Sequence, residues 1–230
     1  MNPGKTLRLR RIFSRGRVLI AASGTLAGEP LQRVRLAARA GVDAVVLTPG
    51  MLESVAEDAG LLSVILRIEG GPSHSQLLSV EAALASGADA VVVDAAIGPA
   101  AFARVAEDST RLGMPLFVET GPPDWSAAAR LAADFGADAV IAPPAAAGPE
   151  YRLLARSTGK PCLVKVEEPG YPEALLPRLA GLIEAGAQGL VLADPKFLEP
   201  PLVTAIHALV HQGVSAAEAV SLAVSAVERD

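Results

Sequence analysis

The stretch GVDAVVLTPG at residues 41–50 returns three times along the chain, as GADAVVVDAA from Gly87, GADAVIAPPA from Gly136 and GAQGLVLADP from Gly186. Successive copies begin 46, 49 and 50 residues apart. In each copy, a glycine suited to the left-handed end of a helix precedes a short aliphatic run. Such a run is typical of a strand buried on both faces, as in a parallel sheet. The repeat therefore predicts four equivalent helix–strand units.

The intervals between the copies have room for one further strand–helix unit each. The strands predicted there span residues 17–23, 62–68, 115–118 and 161–166. The predicted helices span residues 30–40, 51–59, 76–86, 100–112, 124–135, 149–157, 172–185 and 201–211, with a last helix at about 215–228.

Eight strands alternating with eight helices, at about 25 residues a unit, match the length of a small (β/α)8 barrel. A doubly wound open sheet is the alternative, but it explains the near-even repeats less well. We predict a single (β/α)8 TIM barrel over residues 17–230, preceded by a basic arm or capping helix over residues 1–16.

Composition excludes several classes of protein. The 230 residues are 51% hydrophobic, and 25 acidic against 20 basic residues give a net charge of −5, which argues against a general nucleic-acid binder. The single cysteine, Cys162, cannot form an internal disulfide, which favours a reducing cytoplasm. No stretch approaches the roughly 20 apolar residues of a membrane span. We expect a cytoplasmic protein with neither nucleic acid nor membrane as a partner.

The amino-terminal residues differ in charge from the rest of the chain. Residues 1–17 hold six of the 20 basic residues and no acidic one. A transit peptide or a nucleic-acid arm has such a composition. However, the segment lacks a long amphipathic stretch and runs directly into a strand. We therefore expect it to fold onto the barrel.

In a barrel of this type, chemistry is located in the loops at the carboxyl ends of the strands. The candidate catalytic residues there are Lys165, Asp94, Glu119 and Asp194. Burial would lower the pKa of Lys165 and make it nucleophilic, or it forms a structural ion pair with Glu119, Glu167 or Asp194. Asp94 and Glu119 would act as acid and base, or cap loop N–H groups.

Other features carry weaker alternatives. The loop after the third strand supplies Gly70, Gly71 and Ser73 as candidate substrate-binding residues. The strand-end acids lack the spacing of a Mg²⁺ or Ca²⁺ motif. His207 and His211 have the spacing of a helical zinc pair, but we interpret them as structural. We predict no metal site and no cofactor.

The order of several motifs resembles a known family. These are LRRIFSRGRVLIAAS near the start, GVDAVVLTPG, LRIEGG, SGADAVVVDAAIG, RLGMPLFVE, FGADAVI and the closing ALVHQGVSAAEAVSLA. Together they resemble the archaeal-type class I fructose-bisphosphate aldolases, of the deoxyribose-phosphate/fructose-bisphosphate aldolase superfamily, over nearly the whole chain. The resemblance implies a cytoplasmic barrel, usually a homo-oligomer, that forms a Schiff base with a phosphorylated ketose.

The functional residues of that family do not carry over. Its imine-forming lysine corresponds to Ile141, its Asp-His pair to Ala22-Ser23, and its tyrosine falls near Gly121. Its two phosphate-binding turns correspond to Val166-Glu167 and to residues 193–195. Isoleucine cannot form an imine, and acidic residues repel a phosphate group.

A shorter resemblance is to deoxyribose-phosphate aldolase. FVETG at 117–121 and VKVEEPGYPEA at 164–174 carry it. The second lysine of that enzyme, on its seventh strand, matches Lys165, and its fourth-strand aspartate is approximated by Asp94.

Two hypotheses follow. In the first, the barrel has lost the class I aldolase reaction and acts as a binding or partner protein for a small carbonyl or sugar-like ligand. In the second, it is an active lyase of altered chemistry that uses Lys165 with Asp94 or Glu119 on a small carbonyl substrate.

Overall fold

The computed structural model describes residues 2–26, 29–55, 62–68, 79–121, 125–144 and 149–227. Eight parallel strands follow one another in chain order and close into a barrel, since β8 pairs with β1. The strands are β1 Val18–Ala21, β2 Ala44–Leu47, β3 Ser63–Ile68, β4 Ala90–Asp94, β5 Leu116–Glu119, β6 Ala139–Ala142, β7 Cys162–Val166 and β8 Gly189–Leu192. The predicted (β/α)8 barrel is confirmed.

Helices alternate with the strands and surround the barrel. They are α1 Pro3–Ile12, α2 Pro30–Arg39, α3 Pro49–Val55, α4 Val80–Ala85, α5 Pro99–Leu112, α6 Trp125–Asp134, α7 Pro149–Thr158, α8 Pro172–Glu184, α9 Pro200–His207 and α10 Ala216–Val227.

Three described helix boundaries differ from the prediction by two residues or more. The helix expected from residue 51 begins at Pro49. The helix expected over 76–86 begins at Val80, because the Ser79 hydroxyl accepts a hydrogen bond from Ala82 N at 3.0 Å and caps it. The helix expected over 201–211 is α-helical only to His207 and continues as a π-helical turn over Ala208–Gln212. Residues 56–59, 76–78, 124 and 228 of the predicted helices lie outside the described residues.

Strand side chains separate into two apolar layers, as alternation along a strand requires. One layer packs against the surrounding helices. The other lies inside the barrel, and α1 adds Ile12 to it. Its strand members are Val18, Ile20, Ala44, Val46, Ile65, Ala90, Val92, Phe117, Ala139, Ile141, Leu163 and Val191.

The repeat has a structural cause at the amino ends of the strands. The polar residue before each even-numbered strand accepts a hydrogen bond from a backbone N–H at the start of the odd-numbered strand before it. The pairs are Leu19 N to Asp43 Oδ2 at 2.7 Å, Val64 N to Asp89 Oδ2 at 3.0 Å, Leu116 N to Asp138 Oδ2 at 2.9 Å, and Cys162 N to Gln188 Oε1 at 2.8 Å. We call Asp43, Asp89, Asp138 and Gln188 the floor residues.

The repeat glycines also have the predicted role. Gly41, Gly87, Gly136 and Gly186 have φ angles between 78° and 108°, which favour glycine. The fourth copy has a further glycine, Gly189, where the other copies have alanine. A Cβ at Gly189 would lie 2.3 Å from the Val18 carbonyl oxygen, so only glycine fits there.

The basic amino-terminal segment, α1 with the turn after it, covers the amino ends of the strands. Lys5 Nζ lies 2.8 Å from Asp138 Oδ2, Arg11 Nη1 lies 3.0 Å from Asp89 Oδ1, and Arg15 Nη1 lies 3.6 Å from Asp43 Oδ1. The basic residues thus pair with the three aspartates of the repeat. None of the described helices is long and apolar enough to cross a lipid bilayer.

Candidate site at the barrel mouth

Three charged side chains point toward the barrel axis at the carboxyl ends of alternate strands. Arg67 in β3, Glu119 in β5 and Lys165 in β7 each lie two residues beyond a side chain of the inner apolar layer. Residues two apart on a strand face the same side. Because alternate strands fill one layer of a (β/α)8 barrel, the three side chains can meet across the mouth.

Ion pairs join these three residues and Glu167 into one group, which we call the mouth network. The Arg67 guanidinium donates to Glu119 Oε2 at 2.5 Å, and Lys165 Nζ donates to Glu119 Oε1 at 2.8 Å. Lys165 Nζ also lies 2.8 Å from Glu167 Oε1. The Glu119 side chain is 12% exposed, that of Lys165 25% and that of Glu167 60%. The network is therefore buried at Glu119 and open to solvent at Glu167.

The network fixes the charges of its central pair. Burial favours the neutral form of Glu119, but the positive charge of Arg67 and the hydrogen bonds from Lys165 and Arg67 lower the Glu119 pKa overall. Burial likewise disfavours the Lys165 ammonium, but hydrogen bonds with Glu119 and Glu167 raise the Lys165 pKa overall. At neutral pH, Lys165 is a hydrogen-bond donor and a positive charge, whereas an imine-forming lysine needs a free amine.

The model of the DeoC/LacD aldolase family matches residues 17–157 of the chain. This chain belongs to the DeoC/LacD family of aldolases. No curated protein matches it in sequence.

Solved structures share its fold. A protein from Burkholderia cenocepacia J2315 described as a phosphonomutase is 17% identical, with a TM-score of 0.62 over 91% of this chain and 100% of its own. Orotidine 5'-monophosphate decarboxylase from Methanocaldococcus jannaschii is 12% identical, with a TM-score of 0.62 over 84% and 98%. A 2,3-dimethylmalate lyase is 17% identical, with a TM-score of 0.58 over 91% and 85%. At these identities, the likeness concerns the barrel alone.

In this family member, the two predicted aspartates cap backbone turns. Asp94, at the end of β4, accepts a hydrogen bond from Ala96 N at 2.8 Å. Asp194 accepts one from Lys196 N at 2.9 Å, at the start of a 3₁₀ turn over Pro195–Leu198. Capping orients both carboxylates, and their catalytic assignment stays a prediction. The candidate binding residues Gly70, Gly71 and Ser73 lie outside the described residues.

Arg67 was not among the site residues predicted from the sequence. The one arginine within SVILRI resembles any charged residue in an aliphatic strand, and nothing in the local pattern marks it as functional. The alternation of inward-facing and outward-facing side chains along the strand would have identified it. If Ile65 faces the barrel interior, then Arg67 faces it as well, one layer closer to the mouth.

Ile141 in β6 is 1% exposed and belongs to the inner apolar layer. Its register partner in β5 is Glu119. An aliphatic side chain therefore lies beside the central carboxylate of the mouth network.

The remaining chemical candidates lie elsewhere in the fold. Within the described ranges, no three His, Cys, Asp or Glu side chains are arranged to hold a metal ion. His211 Nε2 lies 3.0 Å from Asp43 Oδ2 at the floor of the barrel, and its ring centroid is 4.8 Å from that of His207. Cys162 is buried, and burial raises its pKa to about 12, so its thiol stays protonated and unreactive.

Proposed function

We propose that this DeoC/LacD-family barrel binds a small carbonyl or sugar-like molecule at its mouth and has lost the class I, imine-forming aldolase reaction. The observation that carries the proposal is the pairing of Lys165, whose ammonium lies 2.8 Å from both Glu119 and Glu167. A protonated lysine between two carboxylates cannot attack a carbonyl carbon until it loses its proton.

The resemblance to archaeal-type class I fructose-bisphosphate aldolases supports the same proposal. It assigns the imine-forming lysine to the position of Ile141, whose side chain has no nucleophile. It also assigns phosphate contacts to Val166-Glu167 and to residues 193–195, where Glu167 and Asp194 add negative charge. We propose that the chain is a divergent relative of that type. We propose further that it works in the cytoplasm as a homo-oligomer.

The second candidate is a lyase of altered chemistry, and the direct contact between Lys165 and Glu119 favours it. A substrate that displaced Glu167 would leave the amine beside a single carboxylate, which can accept its proton. Lys165, with Asp94 or Glu119 as acid or base, would then act on a small carbonyl substrate.

Reductive trapping distinguishes the two candidates. The full chain is incubated with pyruvate, glycolaldehyde or dihydroxyacetone phosphate, reduced with borohydride and examined by intact mass and peptide mapping. The chain has four lysines, Lys5, Lys160, Lys165 and Lys196, so an adduct can be assigned to one of them.

We expect no adduct at Lys165 under conditions that label an active class I aldolase in parallel. Lys160→Ala is the matched control variant, because Lys160 precedes β7 at its amino end. A Lys165 adduct that persists in Lys160→Ala and disappears in Lys165→Ala would contradict the proposal and favour the lyase.

A further inference from the structure

The two carboxylates bound to Lys165 differ in how firmly they are held. Glu119 is 12% exposed and contacts both Arg67 and Lys165. Glu167 is 60% exposed, and its carboxylate meets Lys165 from the solvent side. An exposed ion pair contributes little free energy because water and salt screen it. Glu167 is therefore the partner that a ligand can displace.

We propose that the mouth network is a binding site for a singly charged carboxylate, which takes the place of Glu167 on the Lys165 ammonium. Glu167 then acts as an internal competitor, covering the cation while no ligand is bound. This inference rests on the proposed function, in which the mouth binds a small molecule and Lys165 remains an ammonium. It specifies the class of ligand.

The charge of the ligand follows from the charges of the network. Of the described residues in the network, Arg67 and Lys165 supply two positive charges and Glu119 one negative charge, so these three carry one positive charge when Glu167 leaves. A carboxylate monoanion restores neutrality, just as Glu167 does. A phosphate dianion would bring one negative charge more than these residues neutralise, close to the Glu119 carboxylate.

The contact between Lys165 and Glu167 favours the same class of ligand, a carboxylate. Lys165 Nζ already binds a carboxylate oxygen at 2.8 Å on its solvent side, so a ligand carboxylate can reproduce that contact. Glu119 stays in place because Arg67 holds its second oxygen. Arg67 is thus a positioning residue, which keeps Glu119 and through it the Lys165 amine directed toward the mouth.

The test compares pyruvate with its uncharged isostere pyruvamide and with inorganic phosphate, in titrations of the full chain followed by calorimetry or ligand-observed NMR. We expect pyruvate to bind more tightly than either. Glu167→Gln removes the competitor and should tighten pyruvate binding by about two- to fivefold, the ratio that corresponds to one exposed ion pair. Lys165→Met should abolish the preference for pyruvate over pyruvamide.

Glu168→Gln is the matched control, since it removes the same charge from the next, exposed residue. It should leave pyruvate affinity unchanged. Equal affinities for pyruvate and pyruvamide, tighter binding of phosphate, or no tightening in Glu167→Gln would each overturn the inference. A Lys165 adduct in the trapping experiment instead contradicts the proposed function, so the two failures are read from different measurements.

Discussion

The two ends of the barrel both carry ion pairs between strands, but they hold them differently. At the floor, Asp43, Asp89 and Asp138 each accept a backbone N–H with one oxygen and meet a basic side chain of the amino-terminal segment. At the mouth, among the described residues, Glu119 pairs with the side chains of Arg67 and Lys165, and Glu167, which is largely exposed, pairs with Lys165.

This difference separates a structural ion-pair network from one that can exchange partners. If a carboxylate that accepts a backbone N–H inside a closed barrel moves away, that N–H is left buried without an acceptor, which costs free energy. A carboxylate on an exposed loop leaves at little cost, because water replaces its partner. We infer that the ion pairs at the floor contribute most to the free energy of unfolding and that ligands bind at the mouth.

The largest expected effect is at the floor, in Asp138→Ala. The Lys5 and Asp138 side chains are only 9% and 10% exposed, so the variant leaves a buried ammonium without its partner and the Leu116 N–H without its acceptor. Breaking a buried pair in this way costs about 3–5 kcal/mol. Urea unfolding followed by circular dichroism measures the loss.

Two further variants serve as controls for this prediction. Glu167→Ala, at the mouth, should change the unfolding free energy by no more than about 0.5 kcal/mol. Lys5→Met combined with Asp138→Ala should recover part of the loss, because no unpaired charge remains buried. A loss below about 1 kcal/mol in Asp138→Ala would mean that the floor is no more stabilising than the exposed pairs.

A smaller effect is expected at the fourth floor residue, which is uncharged. Gln188 accepts the Cys162 N–H at 2.8 Å, as the aspartates do for their strands. Gln188→Ala therefore removes the backbone cap alone and should cost about 1–2 kcal/mol in urea unfolding. Gln32→Ala, on the exposed surface of α2, is the control and should be nearly neutral. A loss equal to that of Asp138→Ala would show that the cap, rather than the ion pair, sets floor stability.

The sequence predicted the barrel because local signals agreed in every copy of the repeat. Each copy has a glycine, a small-residue corner and an aliphatic run, and these determine a helix end and a buried strand without knowledge of the neighbours. The role of Asp43, Asp89 and Asp138 was not predicted, because each caps a strand that lies 22 to 25 residues earlier in the chain and becomes its neighbour only in the folded sheet. The π-helical turn after His207 was missed because residues 201–211 continue a helical pattern.

The mouth was predicted in part, for a similar reason. Lys165, Glu119 and Glu167 lie at strand ends, where the barrel topology places chemistry, and their possible pairing was recognised from position. Which alternative Lys165 adopts depends on the distances between β5 and β7, which no local pattern encodes. Arg67 lies within a strand, so its place at the mouth follows only once the inward face of β3 is known.

The smallest expected effect is a change of protonation at the mouth. Burial raises the Glu119 pKa, while Arg67 and the hydrogen bonds from Lys165 lower it. The lowering effects are larger, so the Glu119 pKa lies below its ordinary value of 4.5. A lowered folded-state pKa stabilises the fold above the unfolded pKa, and this contribution is lost as the pH falls through the folded pKa. In Arg67→Met, one of the causes that lower the Glu119 pKa is removed, so this pKa should rise. The stabilising contribution of Glu119 should then be smaller, and its loss should be complete at a higher pH. Titration of the Glu119 carboxyl carbon by NMR measures the shift, with Arg104→Met on the exposed face of α5 as the control. An unchanged Glu119 pKa in Arg67→Met would show that Lys165 alone keeps the carboxylate charged, and Arg67 would then have no part in positioning it.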